Sequence, residues 1–490
     1  MPVLAAATPR DLVGDAICVD EAIKRMDVNL LRKGDIVGIS ISTHNCRAGY
    51  DLARKARKRG ATVVIGGPHV SALHKIPLLR DEPLKCGADA VVAGDGDDIW
   101  EQVIRDVLEH KLRERYDGSK VAGERLRSAR WDVLNFNDYL MPTLQTGRGC
   151  PESCSFCSVP QIDGGKPRQR YVVSVAEELM FLRKHFPFVL FADDNFFPAS
   201  LTRIQREENP ARQKYFMQLR EERLAFFREL AKLIGRPTPA FVQMTAETVD
   251  DHEAMEAIRN VGVKVALFGF ESFTAAGRKD VHKTWGPNEE KAIEVVRKAK
   301  EYGVYSYASI ICGLPSDTPE TIARTANFVT NEMKPLIAQF TVIQANPGSP
   351  DYLTMRADMQ RRSSRVPILE EHTRQRLQLI RDEFWLDEVR PRMTVKHPTM
   401  SERELLASSD CAWGTFYDLR KIFDRVAEKD WPLAGKIALA FGQRGFYDTY
   451  AGHGISADSA KTEKTKLVPK LLFKGAKVLL RAAIPAEAAV

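Results

Sequence analysis

Cysteine is scarce in this chain: eight among 490 residues. No run of roughly 20 apolar residues exists, which excludes a helix of membrane-spanning length. The first residues lack a cationic and then apolar signal segment, so a secreted disulfide framework is not expected and the expected compartment is the reducing cytoplasm. Charge of one sign is not in large excess. A net charge of +7 on a chain of this size is no nucleic-acid footprint, though it favours an anionic ligand or an acidic membrane surface. What is present is ordinary for a globular enzyme: 44% hydrophobic and 28% charged residues, enough to bury the cores of two or three domains.

Three of the cysteines crowd into Gly147-Arg148-Gly149-Cys150-Pro151-Glu152-Ser153-Cys154-Ser155-Phe156-Cys157. Thiolates are soft ligands that suit iron–sulfur clusters, which normally take four. The fourth is missing from this string. A structural zinc site would need one more ligand, and the nearest candidates in sequence, His185 and Cys86, are far away. Three ligands on a cubane leave one iron open, as catalytic zinc sites leave an open position. The string resembles the cluster loop of the radical S-adenosylmethionine (SAM) superfamily. That resemblance implies a [4Fe–4S] cluster on Cys150, Cys154 and Cys157, with SAM on the open iron through its amino and carboxylate groups. An electron from the cluster would then cleave SAM to a 5′-deoxyadenosyl radical. Phe156, just before the third cysteine, would pack against the adenine.

The chain divides into residues 1–125, 126–355 and 356–490. In the first part, Asp15 to Val19, Asp35 to Ser42, Ala61 to Ile65 and Ala88 to Ala93 read as strands, with helices from about Ala48 to Arg59 and Ile99 to Leu112. Met1 to Thr8 reads as the end of a helix, so an initial strand is missing from the pattern. Apolar runs separated by helices predict a Rossmann-like parallel sheet covered on both faces. Such sheets bind ligands at the carboxyl ends of their strands. Those ends carry Ser40, Ser42, Thr43, Gly66, Gly67, Gly94 and Gly96. The arrangement resembles the cobalamin-binding domain found in front of many radical SAM enzymes, and the resemblance makes these residues the expected cobalamin contacts. The Asp-x-His-x-x-Gly string of the best-known cobalamin domains is lacking. The near match Asp280-Val281-His282-Lys283-Thr284-Trp285-Gly286 has one residue too many, lies in another domain, and reads as a loop coincidence. Several related families bind the corrin without a protein histidine. His44, His69 and His74 lie near strand ends, where packing is the alternative role for each. A flavodoxin-like domain without ligand is the alternative for the whole.

The second part reads as a partial (β/α)6 barrel of the TIM type. Its strands are expected at Leu140 to Thr146, Phe188 to Phe191, Ala240 to Ala246, Val263 to Phe268, Tyr305 to Cys312 and Gln339 to Gln344. Barrel chemistry sits at the C-terminal strand ends. By resemblance, Asp193 and Asp194 would accept from the SAM amino group, Glu271 and Ser272 would hold the ribose or amino acid, and Gly313 would bring backbone to the adenine. Arg168 and Arg170 would hold an anion or pair with acids. The insertion Leu201 to Gly235 reads as two solvated helices with an apolar stripe at Phe216, Leu219, Leu224, Phe227 and Leu230. In the third part, Trp413 to Tyr417 and Arg420 resemble the closing helix of the group that methylates hopanoids or cyclises porphyrin esters. Lys464 to Arg481 reads as a basic amphipathic helix suited to an anionic membrane surface or to docking on the protein.

These features predict a cobalamin-dependent radical SAM enzyme, most simply a C-methyltransferase for an unactivated carbon of an apolar, tetrapyrrole-like or lipid-like small molecule. The expected electron donor is a flavodoxin or ferredoxin, and nucleic acid is not an expected partner. The sequence sets no oligomeric state. A cobalamin-containing cyclase or rearrangement enzyme is the nearest rival. A methylthiotransferase, with a second cluster on Cys18, Cys46 and Cys86, is another.

Overall fold

The computed structural model describes residues 1–283, 286–363, 376–388, 391–429 and 433–451. Two parallel sheets organise it. The first has strands β1 (Ile36–Ser40), β2 (Thr62–Gly66), β3 (Ala90–Ala93) and β4 (Arg115–Asp117), in the spatial order β1-β2-β3-β4. Every pairing is parallel, for example Ile36 to Thr62 and Val64 to Ala90. Because side chains alternate across a strand, one sequence supplies two cores. Val63, Ile65 and Val91 pack with Tyr50, Ala53 and Ala56 of the helix Cys46–Lys58. Val64, Ala90 and Val92 pack on the other face with Trp100, Val103 and Ile104 of the helix Trp100–Leu108.

The expected strand at Asp15 to Val19 does not form: residues 14–20 have no regular structure, and Ile17 is 90% exposed. A strand needs a neighbour for its backbone groups, and among the described residues β1 pairs only with β2. The sheet therefore has no reversal of strand order, the feature that opens a ligand crevice in doubly wound folds.

The second sheet contains β5 (Thr143–Leu144), β8 (Val189–Phe191), β9 (Ala240–Met244), β10 (Val263–Glu271), β11 (Tyr305–Cys312) and β12 (Ile337–Val342). Its six parallel strands follow one another in chain order, as an open (β/α)6 arrangement. Strands β6 (Gly147–Arg148) and β7 (Arg168–Gln169) form a small antiparallel hairpin that frames the cysteine loop. Strand β10 runs past its expected end to Glu271, through a bulge between Gly269 and Glu271.

The insertion folds as Leu201–Gln205 and Pro210–Ile234, and its apolar stripe is buried. It is less solvated than its charge suggests. Arg220 and Arg223 are also buried, paired with Asp251 and Asp193, because a long helix against the barrel must bury one complete face. At the open edge, Trp413 Nε1 and Ser409 Oγ donate to Phe340 O, and Tyr417 Oη donates to Ala338 O at 2.7 Å. These side chains cover the bare edge of β12. The basic segment Lys464 to Arg481 lies outside the described residues, and among those described no helix is long and apolar enough to cross a membrane.

Candidate active site

The cysteine loop leaves the barrel after β5 and is held at both ends. Gly149 has φ +100°, and a Cβ there would stand 2.9 Å from the carbonyl oxygens of Gly164 and Lys166; only glycine fits. Gly149 N–H donates to Asp194 Oδ2 at 2.7 Å, and Cys150 N–H to Gly164 O at 3.1 Å. Farther along, Cys157 N–H donates to Cys154 O, Ser155 N–H to Val281 O and Ser155 Oγ to Asp351 Oδ2.

Cys150, Cys154 and Cys157 are half-buried and lie within electrostatic reach of one another. Burial pushes all three thiols up, that of Cys154 to about 12. No three His, Cys, Asp or Glu groups among the described residues converge as on a single ion. Three soft thiol donors on one loop are a donor set that would suit an iron–sulfur cluster. Cluster assembly then requires loss of three thiol protons.

Adjacent Asp193 and Asp194 have different surroundings. Asp193 is buried and accepts from Thr146 N–H at 2.6 Å, Thr146 Oγ1 and Arg223 Nη2 at 2.8 Å. Burial pushes its pKa up, opposed by these donors. Asp194 holds Gly149 alone, and burial together with Asp163 raises it to about 6. The next residue, Asn195, is buried with neither side-chain polar atom hydrogen-bonded among the described residues.

At the end of β10, Glu271 has φ +60° and faces Lys283, whose Nζ lies 3.3 Å from Glu271 Oε1 and also donates to Gly269 O. Burial would lower the Lys283 ammonium, but Glu271 and Cys154 hold it above its ordinary value. Ser272 Oγ is turned into its own loop, accepting from Thr274 N–H. Gly313 has φ +90°, and Asp317 accepts from the N–H groups of Gly313 and Leu314. Phe156 packs against the apolar cluster that joins the first sheet to Val281, Leu314 and Ile343.

A polar cleft beside Cys154 is lined by Glu152, Arg206, Thr245, Glu247, His282 and Lys283, among others. Glu247 pairs with Arg206, and burial pushes its carboxyl up to about 7. Sequence reasoning missed Glu247, Asn195 and Lys283. Lys283 was visible in the string read as a loop coincidence. That string serves the site: Val281 O anchors Ser155, and Asp280 accepts from Ser316.

The expected corrin contacts all keep some exposure. Ser40, Ser42, Thr43, Gly66 and Gly67 remain at least partly exposed at one end of the first sheet. That polar, accessible end fits a ligand. Its histidine is committed: Thr43 Oγ1 lies 3.0 Å from His69 Nδ1, and His69 Nε2 faces Glu82 at 3.3 Å. Gly94 and Gly96 are partly exposed too, like Gly66 and Gly67. A Cβ would meet Ser119 O at 3.1 Å or Leu4 at 3.3 Å. The crowding is tighter still at Gly67, where a Cβ would stand 2.7 Å from Ile41 O.

Residues 144–329 match the radical SAM superfamily. That match spans the three-cysteine loop and most of the open parallel barrel, so this part of the chain is a radical SAM domain. It is 24% identical over 338 residues to the bacteriochlorophyllide d C-8(2)-methyltransferase of Chlorobaculum tepidum, covering 65% of this chain and 67% of that one. It is also 24% identical over 339 residues to the hopanoid C-2 methylase of Rhodopseudomonas palustris (strain TIE-1), covering 68% and 59%. Among solved structures, the cobalamin-dependent radical SAM enzyme OxsB, with aqua-cobalamin and SAM bound, shares its fold. The TM-score is 0.62 at 13% identity, over 92% of this chain and 68% of that one.

Proposed function

We propose that this radical SAM enzyme is a cobalamin-dependent C-methyltransferase acting on an unactivated carbon of an apolar small molecule of tetrapyrrole or lipid type. The observation that carries this reading is the packing of two parallel sheets through one apolar cluster, with the cysteine loop between them. Cys150, Cys154 and Cys157 hold the cluster. Asp194 and Glu271 would accept from the amino group of SAM, and Lys283 would pair with its carboxylate. Ser40, Ser42, Thr43 and the Gly66-Gly67 turn would hold the corrin, while the His69 ring nitrogens already face Thr43 and Glu82. When bound, the cluster supplies the electron that cleaves SAM reductively, and the corrin supplies a transferable methyl group. The chain's own residues position the two and exclude water. A flavodoxin or ferredoxin is the fitting donor, and Lys464 to Arg481 suits a membrane surface where an apolar substrate would reside. The relatives named above, methyltransferases of chlorophyll-type and hopanoid substrates, support the substrate class.

The test is anaerobic purification, cluster reconstitution and addition of hydroxocobalamin, followed by iron, sulfide and corrin assays after desalting. A single four-iron cluster with retained corrin, and both S-adenosylhomocysteine and 5′-deoxyadenosine formed from SAM, supports the reading. The same cluster without corrin sinks the methyltransferase assignment. Twice the iron revives the methylthiotransferase.

A further inference from the structure

The turn Gly94-Asp95-Gly96-Asp97 follows the third strand of the first sheet, and its two carboxylates are not idle. Both are buried, 6% and 5% exposed, and both face the barrel. Asp97 receives Arg148 through two guanidinium nitrogens, at 2.8 and 3.3 Å. Asp95 accepts from Arg148 Nη1 at 3.1 Å, from Val121 N–H at 2.9 Å and from Arg168 Nη1. Burial would raise Asp95, but Arg168 and Arg148 hold it below the usual carboxylate range. Arg168 also donates to Val121 O and Asp163 O.

These two arginines are cross-strand partners on the β6–β7 hairpin. Arg148 stands two residues before Cys150. Its neighbour Gly149 is fixed to Asp194, and Cys150 is fixed to Gly164. The first sheet thus grips the root of the cysteine loop through a paired set of charges rather than through apolar contact alone. Ion pairs of this burial cost desolvation and are weak sources of stability, but they define geometry and local charge.

We propose that Asp95 and Asp97 are positioning residues of the cluster. Through Arg148 and Arg168 they fix the loop of the first cysteine and balance the positive charge beside it. Cluster potentials follow local charge and hydrogen bonding. Removing one carboxylate leaves the two arginines one negative charge short and favours the added electron; removing Arg148 does the reverse. The inference rests on the radical SAM reading of the three cysteines and is independent of the corrin.

The experiment is an EPR-monitored redox titration of the reconstituted protein as wild type, Asp97→Asn, Arg148→Gln, Arg148→Lys and the double variant Asp97→Asn/Arg148→Gln. Iron and sulfide are measured on each. The expected result is an unchanged iron content with the potential raised in D97N and lowered in R148Q. R148K, which keeps the charge, should match wild type, and the double variant should return toward it. Shifts of the same sign in both single variants, or no shift, overturn the proposal. Iron lost in proportion to any change, with the remaining clusters unshifted, also overturns it and leaves the turn a folding anchor. Failure of the wild type to hold a cluster would instead sink the reading of the cysteines.

Discussion

The two parallel sheets end in polar, glycine-rich turns that look alike in sequence, yet they use them differently. In the first sheet several polar groups around the strand ends are already engaged by the chain, while Ser40, Ser42 and the Gly66-Gly67 turn stay accessible. Thr43 meets His69. Glu82 accepts from Tyr50 at 2.8 Å and from Trp385 Nε1 at 3.0 Å to each oxygen. In the barrel the corresponding groups are left short. Asn195 has no partner among the described residues, Glu271 sits at positive φ, and Glu247 and Asp194 are pushed to about 7 and 6 by burial. Polar residues at strand ends therefore do not mark a site by themselves. Unmet hydrogen bonding and strain in the barrel add to that signal, because a fold tolerates them where a ligand is to complete them.

The comparison breaks first at the cysteines. Replacing Cys150, Cys154 or Cys157 by alanine should lower 5′-deoxyadenosine formation more than about 100-fold, beyond what loss of supporting residues around a metal site commonly costs. Iron content should fall with it while the circular dichroism of the apoprotein is unchanged. Equal iron in any one variant would remove that cysteine from the cluster.

Neighbouring aspartates sharpen the contrast within the barrel. Asp193→Ala strands Arg223 as a buried cation and should cost about 3–5 kcal/mol in denaturant unfolding of the apoprotein. Asp194→Asn keeps an acceptor for Gly149 N–H and should change stability by less than about 1 kcal/mol, while weakening SAM binding in equilibrium dialysis. The reverse pattern, a stable D193A that no longer binds SAM, would exchange their roles.

Much of this was legible beforehand because it rests on spacing. The cysteine string, the alternation of strands and helices, and the positive-φ turn at Gly313 are local properties of the chain. Pairing between distant segments is not local. Nothing near Asp193 in sequence announces Arg223, thirty residues on and one helix away. Nothing near Gly94 announces Arg148 or Leu4. Lys283 was hidden differently, since its string invited comparison with a cobalt ligand rather than with Glu271. Asp15 to Val19 has strand composition without a strand beside it, and pairing is a fact about neighbours.

The smallest effect concerns the turn after β11. Asp317 accepts two backbone N–H groups, as Glu82 accepts its several donors, but burial still raises it from 3.8 to about 6. A carboxyl whose pKa is higher folded than unfolded binds its proton more readily in the native state. Its contribution to stability is complete below about pH 4 and is lost as pH rises through about 6. The loss is at most about 3 kcal/mol, from roughly two units at 1.36 kcal/mol each. Asp317→Asn keeps an acceptor oxygen and removes the titration. Urea unfolding of the apoprotein between pH 4 and 7 should therefore show a shallower decline in D317N than in wild type, with the variant the more stable at pH 7. Parallel curves would mean that the two N–H donors suffice to hold the charge. In that case the turn at Gly313 would belong with the engaged polar groups of the first sheet.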